Sequence, residues 1–178
     1  NRRLAGLALG YKVQAALDYG IAAPAGPEER GPYCVLLHST SRADKLWPEP
    51  AWVQLGGELA RQGYTLMLPW GDDDERARSE RIASALPAAV VPPAQDIPAI
   101  ASLLSGAQAV IGVDTGLTHL AAALGRPVVA LFCGTRPGLT GVYAGQGARV
   151  RNLGDRELMP EIAEVLTALR ELIGVSAA

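Results

Sequence analysis

Five short apolar runs, at residues 33–38, 64–68, 88–91, 109–113 and 128–132, recur along the chain with helix-patterned stretches between them. No other feature constrains the fold as much. A run such as Tyr33-Cys34-Val35-Leu36-Leu37-His38 has no polar side to turn to water, so it reads as a strand buried on both faces of a parallel sheet. Parallel neighbours need a crossover, and each intervening segment is suited to one helix. Residues 49–62 put Trp52, Leu55, Leu59 and Ala60 on one side and end at Gly63, a common helix stop. Residues 74–86 open with acids that suit the positive end of a helix dipole. Shorter helices are predicted at 97–104 and at 117–124, the latter closed by Gly125. Residues 148–152 read as a sixth short strand and 160–173 as a closing helix with Pro160 in its first turn. The alternation predicts an α/β fold on a doubly wound parallel sheet.

Residues 2–19 carry Leu4, Leu7, Ala8, Tyr11 and Ala15 at spacings for one or two short helices. Residues 20–32 hold Pro24, Gly26, Pro27, Gly31 and Pro32 among charges, the composition of a linker. The compact domain is therefore expected at 33–178, with 1–32 the end of a preceding unit and its linker. A first residue of Asn rather than Met is expected of a piece cut from a longer chain.

Hydrophobic residues at 49% and charged residues at 19% give a globular balance. A net charge of −2, with both signs interspersed, lacks the basic face that nucleic acid requires. Cys34 and Cys133 sit in or beside apolar runs and read as small buried hydrophobes, and no spacing suggests a metal site. No apolar run approaches the roughly 18–20 residues of a membrane span, so a soluble chain is expected.

In a doubly wound sheet, ligands bind beyond the carboxyl ends of strands where the strand order reverses. For the order 3-2-1-4-5-6 that crevice lies between the first and fourth strands, whose loops are 38–48 and 113–117. Asp114-Thr115-Gly116 leads into a helix whose free N–H groups and dipole suit an anion; the bland alternative is that Asp114 or Thr115 merely caps it. The other loop offers Ser39, Thr40 and Ser41, then Arg42 and Lys45, the last a mobile point charge suited to a diphosphate. Exposed Lys and Arg in such a loop are usually only solvated, so neither loop alone makes a site. Facing each other, they form a candidate anion site. No Walker A or G-x-G-x-x-G pattern is present. Asp72, Asp73, Asp74 and Glu75 follow the second strand, where an acid commonly accepts ribose hydroxyls, and pattern does not choose among them. His38 and His119 are candidate acids or bases whose bland reading is structural.

Residues His38-Ser39-Thr40-Ser41-Arg42-Ala43-Asp44-Lys45-Leu46-Trp47-Pro48, then Leu68-Pro69-Trp70-Gly71, then Val113-Asp114-Thr115-Gly116-Leu117-Thr118-His119-Leu120 together resemble the lipopolysaccharide heptosyltransferases of glycosyltransferase family 9. The resemblance is strongest to the branch that adds the first heptose to the lipid A–Kdo inner core. It implies a Rossmann-like domain forming the C-terminal, donor-binding half of a GT-B enzyme. It implies ADP-L-glycero-β-D-manno-heptose as donor, no cofactor and no metal. Kdo-lipid A would be the acceptor, reached through the other domain at the cytoplasmic face of the bacterial inner membrane.

Carried over by position, the resemblance implies Thr40 and Ser41 on the diphosphate, although the family favours two threonines there. Lys45 would neutralise the departing ADP and Glu75 would hold the ribose. Gln95 would line the adenine pocket, where the family often has another residue. Asp114 would touch the heptose, Thr115, Gly116 and Leu117 would hold phosphate, and His119 would support the loop. Lys45 and Asp114 would be the catalytic contributors of this half, and the base would be an aspartate of the other domain. The rival readings are a transferase of the second heptose or of a UDP-sugar, and a non-catalytic nucleotide-binding α/β module. A flavodoxin-like signalling domain would need acids at the end of the first strand, where this chain has His-Ser-Thr-Ser.

Overall fold

A computed structural model of the chain describes residues 2–13, 17, 19–22, 24, 31–144 and 149–174. Its strands are β1 (Tyr33–Leu37), β2 (Thr65–Met67), β3 (Ala89–Val90), β4 (Ala109–Val113), β5 (Val128–Phe132) and β6 (Val150–Gly154). They form one sheet in the order β3-β2-β1-β4-β5-β6, every neighbouring pair parallel. The helices are α1 (Arg2–Leu9), α2 (Glu49–Arg61), α3 (Asp73–Ser84), α4 (Ile97–Gly106), α5 (Gly116–Ala123), α6 (Pro137–Thr140) and α7 (Ile162–Ile173).

Every residue of β1, β4 and β5 is buried, because helices cover both faces. Strand residues point alternately to the two faces, so one apolar run feeds two cores. Cys34, Leu36, Ile111, Val113 and Leu131 pack with Trp52, Leu55 and Leu59 of α2, Ile82 of α3, and Val165 and Leu169 of α7. Val35, Leu37, Val110, Ala130 and Phe132 pack on the other side with Leu103 and Leu104 of α4 and Ala121 and Ala122 of α5. Each Leu, Val or Ile so removed from water contributes about 1.5–3 kcal/mol relative to exposure. Trp47 and Trp52 meet edge-to-face with centroids 5.1 Å apart, a favoured aromatic geometry. Trp47 Nε1 donates to the Pro160 carbonyl at 3.0 Å, which ties the chain after β1 to the approach of α7.

Several boundaries differ from expectation for identifiable reasons. The last helix begins at Ile162 rather than 160, because Glu161 is its N-cap in a reciprocal capping box with Glu164, which satisfies two end N–H groups. Pro160 therefore precedes the helix. The sixth strand covers 150–154 instead of 148–152, and residue 148 lies outside the described residues; this partner of β5 is only partly covered, so its hydrophobic pattern is weak. Asp72 caps α3 by accepting from Glu75 N at 2.9 Å, which starts that helix at Asp73. The 3-10 turn Ala43–Lys45 and helix α6 carry no apolar periodicity and were not expected. Of residues 2–19, α1 forms one helix; 14–16 and 18, like 23 and 25–30 of the expected linker, lie outside the described residues.

Candidate functional site

The sheet runs outward to β3 on one side of β1 and to β6 on the other side of β4, so the order reverses between β1 and β4. Beyond their carboxyl ends the two predicted loops are joined. Lys45 Nζ lies 2.9 Å from Asp114 Oδ2, and Thr40 Oγ1 donates to the Asp114 carbonyl at 3.3 Å. The 3-10 turn, closed by Lys45 N to Arg42 O at 3.1 Å and Leu46 N to Ala43 O at 3.2 Å, aims Lys45 inward. Arg42 is engaged outside with Asp44. Ser41 is exposed and Thr40 half-buried.

A third loop, from β5, completes the arrangement. Thr135 Oγ1 donates to Asp114 Oδ2 at 2.7 Å, and Thr140 Oγ1 lies 3.4 Å from the same oxygen. Gly134 permits this: a Cβ there would collide with the Asp44 carbonyl, so the β5 loop lies against the turn that carries Lys45. His119 Nε2 stands 3.8 Å from Asp114 Oδ1. Asp114 is 7% exposed, a degree of burial that a carboxylate tolerates only with partners. Burial pushes its carboxyl up, but the Lys45 and Thr135 hydrogen bonds and the charges of Lys45 and His119 outweigh it. The net effect holds the group below the usual carboxylate range. Asp114 is therefore a fixed anion at neutral pH.

Helix α5 starts beside it. Thr115 is the N-cap in extended conformation (φ −142°, ψ 158°), but its side chain makes no capping hydrogen bond. Asp114's Oδ2 takes up Lys45 and Thr135, and neither carboxylate oxygen accepts from an N–H of α5 among the described residues. The simple-capping alternative thus fails, and helical geometry leaves the Gly116 and Leu117 N–H groups without intrahelical acceptors. Thr118 Oγ1 donates to the Val113 carbonyl at 2.8 Å and fixes the strand-to-helix turn. A Cβ on Gly112 would collide with that hydroxyl.

The four acids after β2 separate by geometry. Asp72, Asp73 and Asp74 are exposed and Asp72 is the helix cap, whereas Glu75 is half-buried and its Oε2 accepts from Gly71 N at 2.8 Å. Beyond β3, Gln95 is half-buried, and its buried Oε1 meets no hydrogen-bond donor among the described residues. Trp70 Nε1 donates to the Pro92 carbonyl at 2.8 Å, and Arg76 lies over the Trp70 ring at 5.4 Å.

His38 has a structural place. Its Nε2 pairs with Ser79 Oγ at 2.7 Å and its Nδ1 with Ser39 Oγ at 2.8 Å, beneath Trp52. Burial first, then Arg78, pushes its pKa down to about 4, so it is neutral at pH 7 and its ring nitrogens are already occupied. Burial pushes Cys34 up to about 12 and Cys133 up to about 11, which leaves neither a thiolate nucleophile. Among the described residues no group of three or more His, Cys, Asp or Glu could hold a metal ion, and no helix is long and apolar enough to cross a membrane.

The structure brings Thr40, Lys45, Asp114, Thr115, Gly116, Leu117 and His119 to one place, with Glu75 and Gln95 beyond the neighbouring strands β2 and β3. Sequence reasoning missed Gly134, Thr135 and Thr140. The available signal was Cys133-Gly134-Thr135 directly after β5, at the same carboxyl edge of the sheet.

Residues 8–168 match the family model described as glycosyltransferase family 9 (heptosyltransferase). The chain is 43% identical over 147 residues to lipopolysaccharide heptosyltransferase 1 of Escherichia coli (strain K12), covering 80% of this chain and 46% of that protein. The solved structure of E. coli heptosyltransferase WaaC with ADP matches with a TM-score of 0.83 at 39% identity, over 96% of this chain and 54% of that one. The structure of the same enzyme with ADP-2-deoxy-2-fluoro heptose matches with a TM-score of 0.78 at 35% identity, over the same shares of the two chains. The chain spans about half the length of the curated relatives it matches. With 161 of its 178 residues inside the family match (168 − 8 + 1), the chain belongs to glycosyltransferase family 9, the heptosyltransferases.

Proposed function

We propose that this chain is the donor-binding part of an inverting glycosyltransferase that moves L-glycero-D-manno-heptose from ADP-heptose to the Kdo-lipid A inner core in lipopolysaccharide biosynthesis. The observation that carries this reading is the Lys45–Asp114 pair at the β1/β4 crevice beside the open first turn of α5. A diphosphate needs concentrated positive charge in a partly dry place, and Lys45 with the α5 N-terminus supplies it. The ADP in a related solved structure, at 39% identity, supports the choice of nucleotide.

In this reading Thr40, Ser41, Lys45, Thr115, Gly116 and Leu117 hold the diphosphate, and Glu75 the ribose. Gln95 lines the adenine pocket, where its unpartnered Oε1 suits an exocyclic amine. Asp114 meets the heptose, and His119 supports the loop. Residues 33–178 form the donor domain, while 1–32 join it to an acceptor-binding domain at the cytoplasmic face of the inner membrane. A base on that other domain takes the proton of a Kdo hydroxyl. The new C–O bond forms at the anomeric carbon as the C–O bond to ADP breaks, and the bonding pair leaves on the β-phosphate oxygen of ADP. Lys45 and the α5 dipole stabilise that leaving charge, so the scheme calls for no metal.

Calorimetry with ADP-heptose, ADP-glucose and UDP-sugars tests the reading. Tightest binding of ADP-heptose, lost in Lys45→Ala, is the expected result. A preference for a UDP-sugar, or binding indifferent to Lys45→Ala, would overturn it.

A further inference from the structure

Within the donor reading above, on which this inference rests, the two oxygens of Asp114 have different surroundings. Oδ2 is crowded: Lys45 Nζ at 2.9 Å, Thr135 Oγ1 at 2.7 Å and Thr140 Oγ1 at 3.4 Å all point at it. Oδ1 accepts no hydrogen bond among the described residues, and the His119 ring stands off from it with Nε2 at 3.8 Å. A carboxylate oxygen has two lone pairs, so Oδ2 is saturated and Oδ1 has acceptor capacity left.

The donors on Oδ2 also differ in what a ligand does to them. Lys45 is a flexible ammonium that a diphosphate competes for. Thr135 is β-branched with a restricted χ1, and its segment is clamped at both ends. Gly134 lies against the Asp44 carbonyl. Val142 exchanges two hydrogen bonds with the Asn152 side chain on β6, N to Oδ1 at 2.9 Å and Nδ2 to O at 2.9 Å.

We propose that Thr135 is a positioning residue that fixes Asp114 by binding Oδ2, so that Oδ1 is presented to a hydroxyl of the donor's sugar even while Lys45 is drawn to the diphosphate. Thr135 touches no ligand; it acts through Asp114. The hydroxyl proton stays on Thr135, and no bond is made or broken at it.

The test compares ADP and ADP-heptose binding to the chain, because only the latter carries the sugar. In Thr135→Val, which keeps the shape and removes the hydroxyl, ADP-heptose affinity is expected to fall about tenfold, with ADP affinity within about twofold of the parent. Thr135→Ser should recover most of the loss. In an Asp114→Ala background, which removes both carboxylate oxygens, Thr135→Val should add nothing. An equal loss for both ligands, no loss, or an additive loss in the Asp114→Ala background would overturn the assignment. If Thr135→Val does not fold, the Ser variant carries the test: a Ser variant as deficient in the ADP-heptose to ADP ratio as Asp114→Ala contradicts the proposal. A parent chain that binds neither ligand overturns the donor reading itself and this proposal with it.

Discussion

Lys45 and Asp114 are 69 residues apart in sequence, yet their side chains meet at 2.9 Å across the point where the sheet order reverses. The pair is mostly buried, with side chains 17% and 8% exposed, so removing one partner strands the other. Lys45→Ala is expected to lower stability by about 2 kcal/mol, chiefly through the unpaired Asp114. Adding Asp114→Asn should return most of that stability without restoring donor affinity. Denaturant titration beside calorimetry separates the two effects, and a double variant that regains binding would contradict the assignment.

His38 makes stability depend on pH in a defined window. Its folded pKa is pushed down to about 4 by burial and by Arg78, against about 6.5 in the unfolded chain. A depressed histidine favours the fold fully above the unfolded value, and that contribution drains as pH falls from about 6.5 towards 4. Between pH 7.5 and 4.5 the chain should lose on the order of 3 kcal/mol through this residue. His38→Gln, measured by denaturant unfolding at both pH values, should flatten the slope. Glu49, held low first by the hydrogen bond from Arg81, and Asp114 lose their contributions only as pH falls through their lowered carboxylate range, so they act below that window.

Gly112 leaves the space that Thr118 Oγ1 occupies on its way to Val113 O. Gly112→Ala is expected to cost about 1–3 kcal/mol by overpacking against Thr118 and Leu37. Combining it with Thr118→Ala should recover part of the loss, because the colliding oxygen is then gone. Thermal unfolding of the two variants is a sufficient check. A harmless single substitution would mean that the strand-to-helix turn is looser than its geometry.

The strands were legible because β1, β4 and β5 are unbroken apolar runs that only burial on both faces accommodates, whereas their order was taken as the usual one for a doubly wound sheet. The Lys45 and Asp114 loops were legible because polar residues at strand ends stand out against such runs. Pattern alone did not separate Glu75 from Asp72; the family resemblance chose Glu75, and geometry gives Asp72 the helix cap and turns Glu75 back to Gly71 N. Thr135 and Thr140 were missed for a different reason. Cys133-Gly134-Thr135 after β5 marks a third strand-end loop, but its approach to Asp114 depends on Gly134 meeting Asp44, a contact between segments 90 residues apart (134 − 44) that no local pattern reports.

Gly134→Ala probes that contact. The added methyl would meet the Asp44 backbone, which cannot yield as a flexible side-chain tip would. The β5 loop and the Lys45 turn should move apart, weakening ADP-heptose binding by roughly tenfold or more. Binding unchanged from the parent would show that the two loops act independently.

The proposed diphosphate site joins the β1 and β4 loops through Lys45. Its most direct measurement is a calorimetric titration of ADP-heptose into the chain at low and moderate salt, with Lys45→Ala alongside. Saturable binding that weakens as salt rises and falls roughly 10- to 100-fold in the variant is expected. Binding of equal strength in the parent and Lys45→Ala would contradict it.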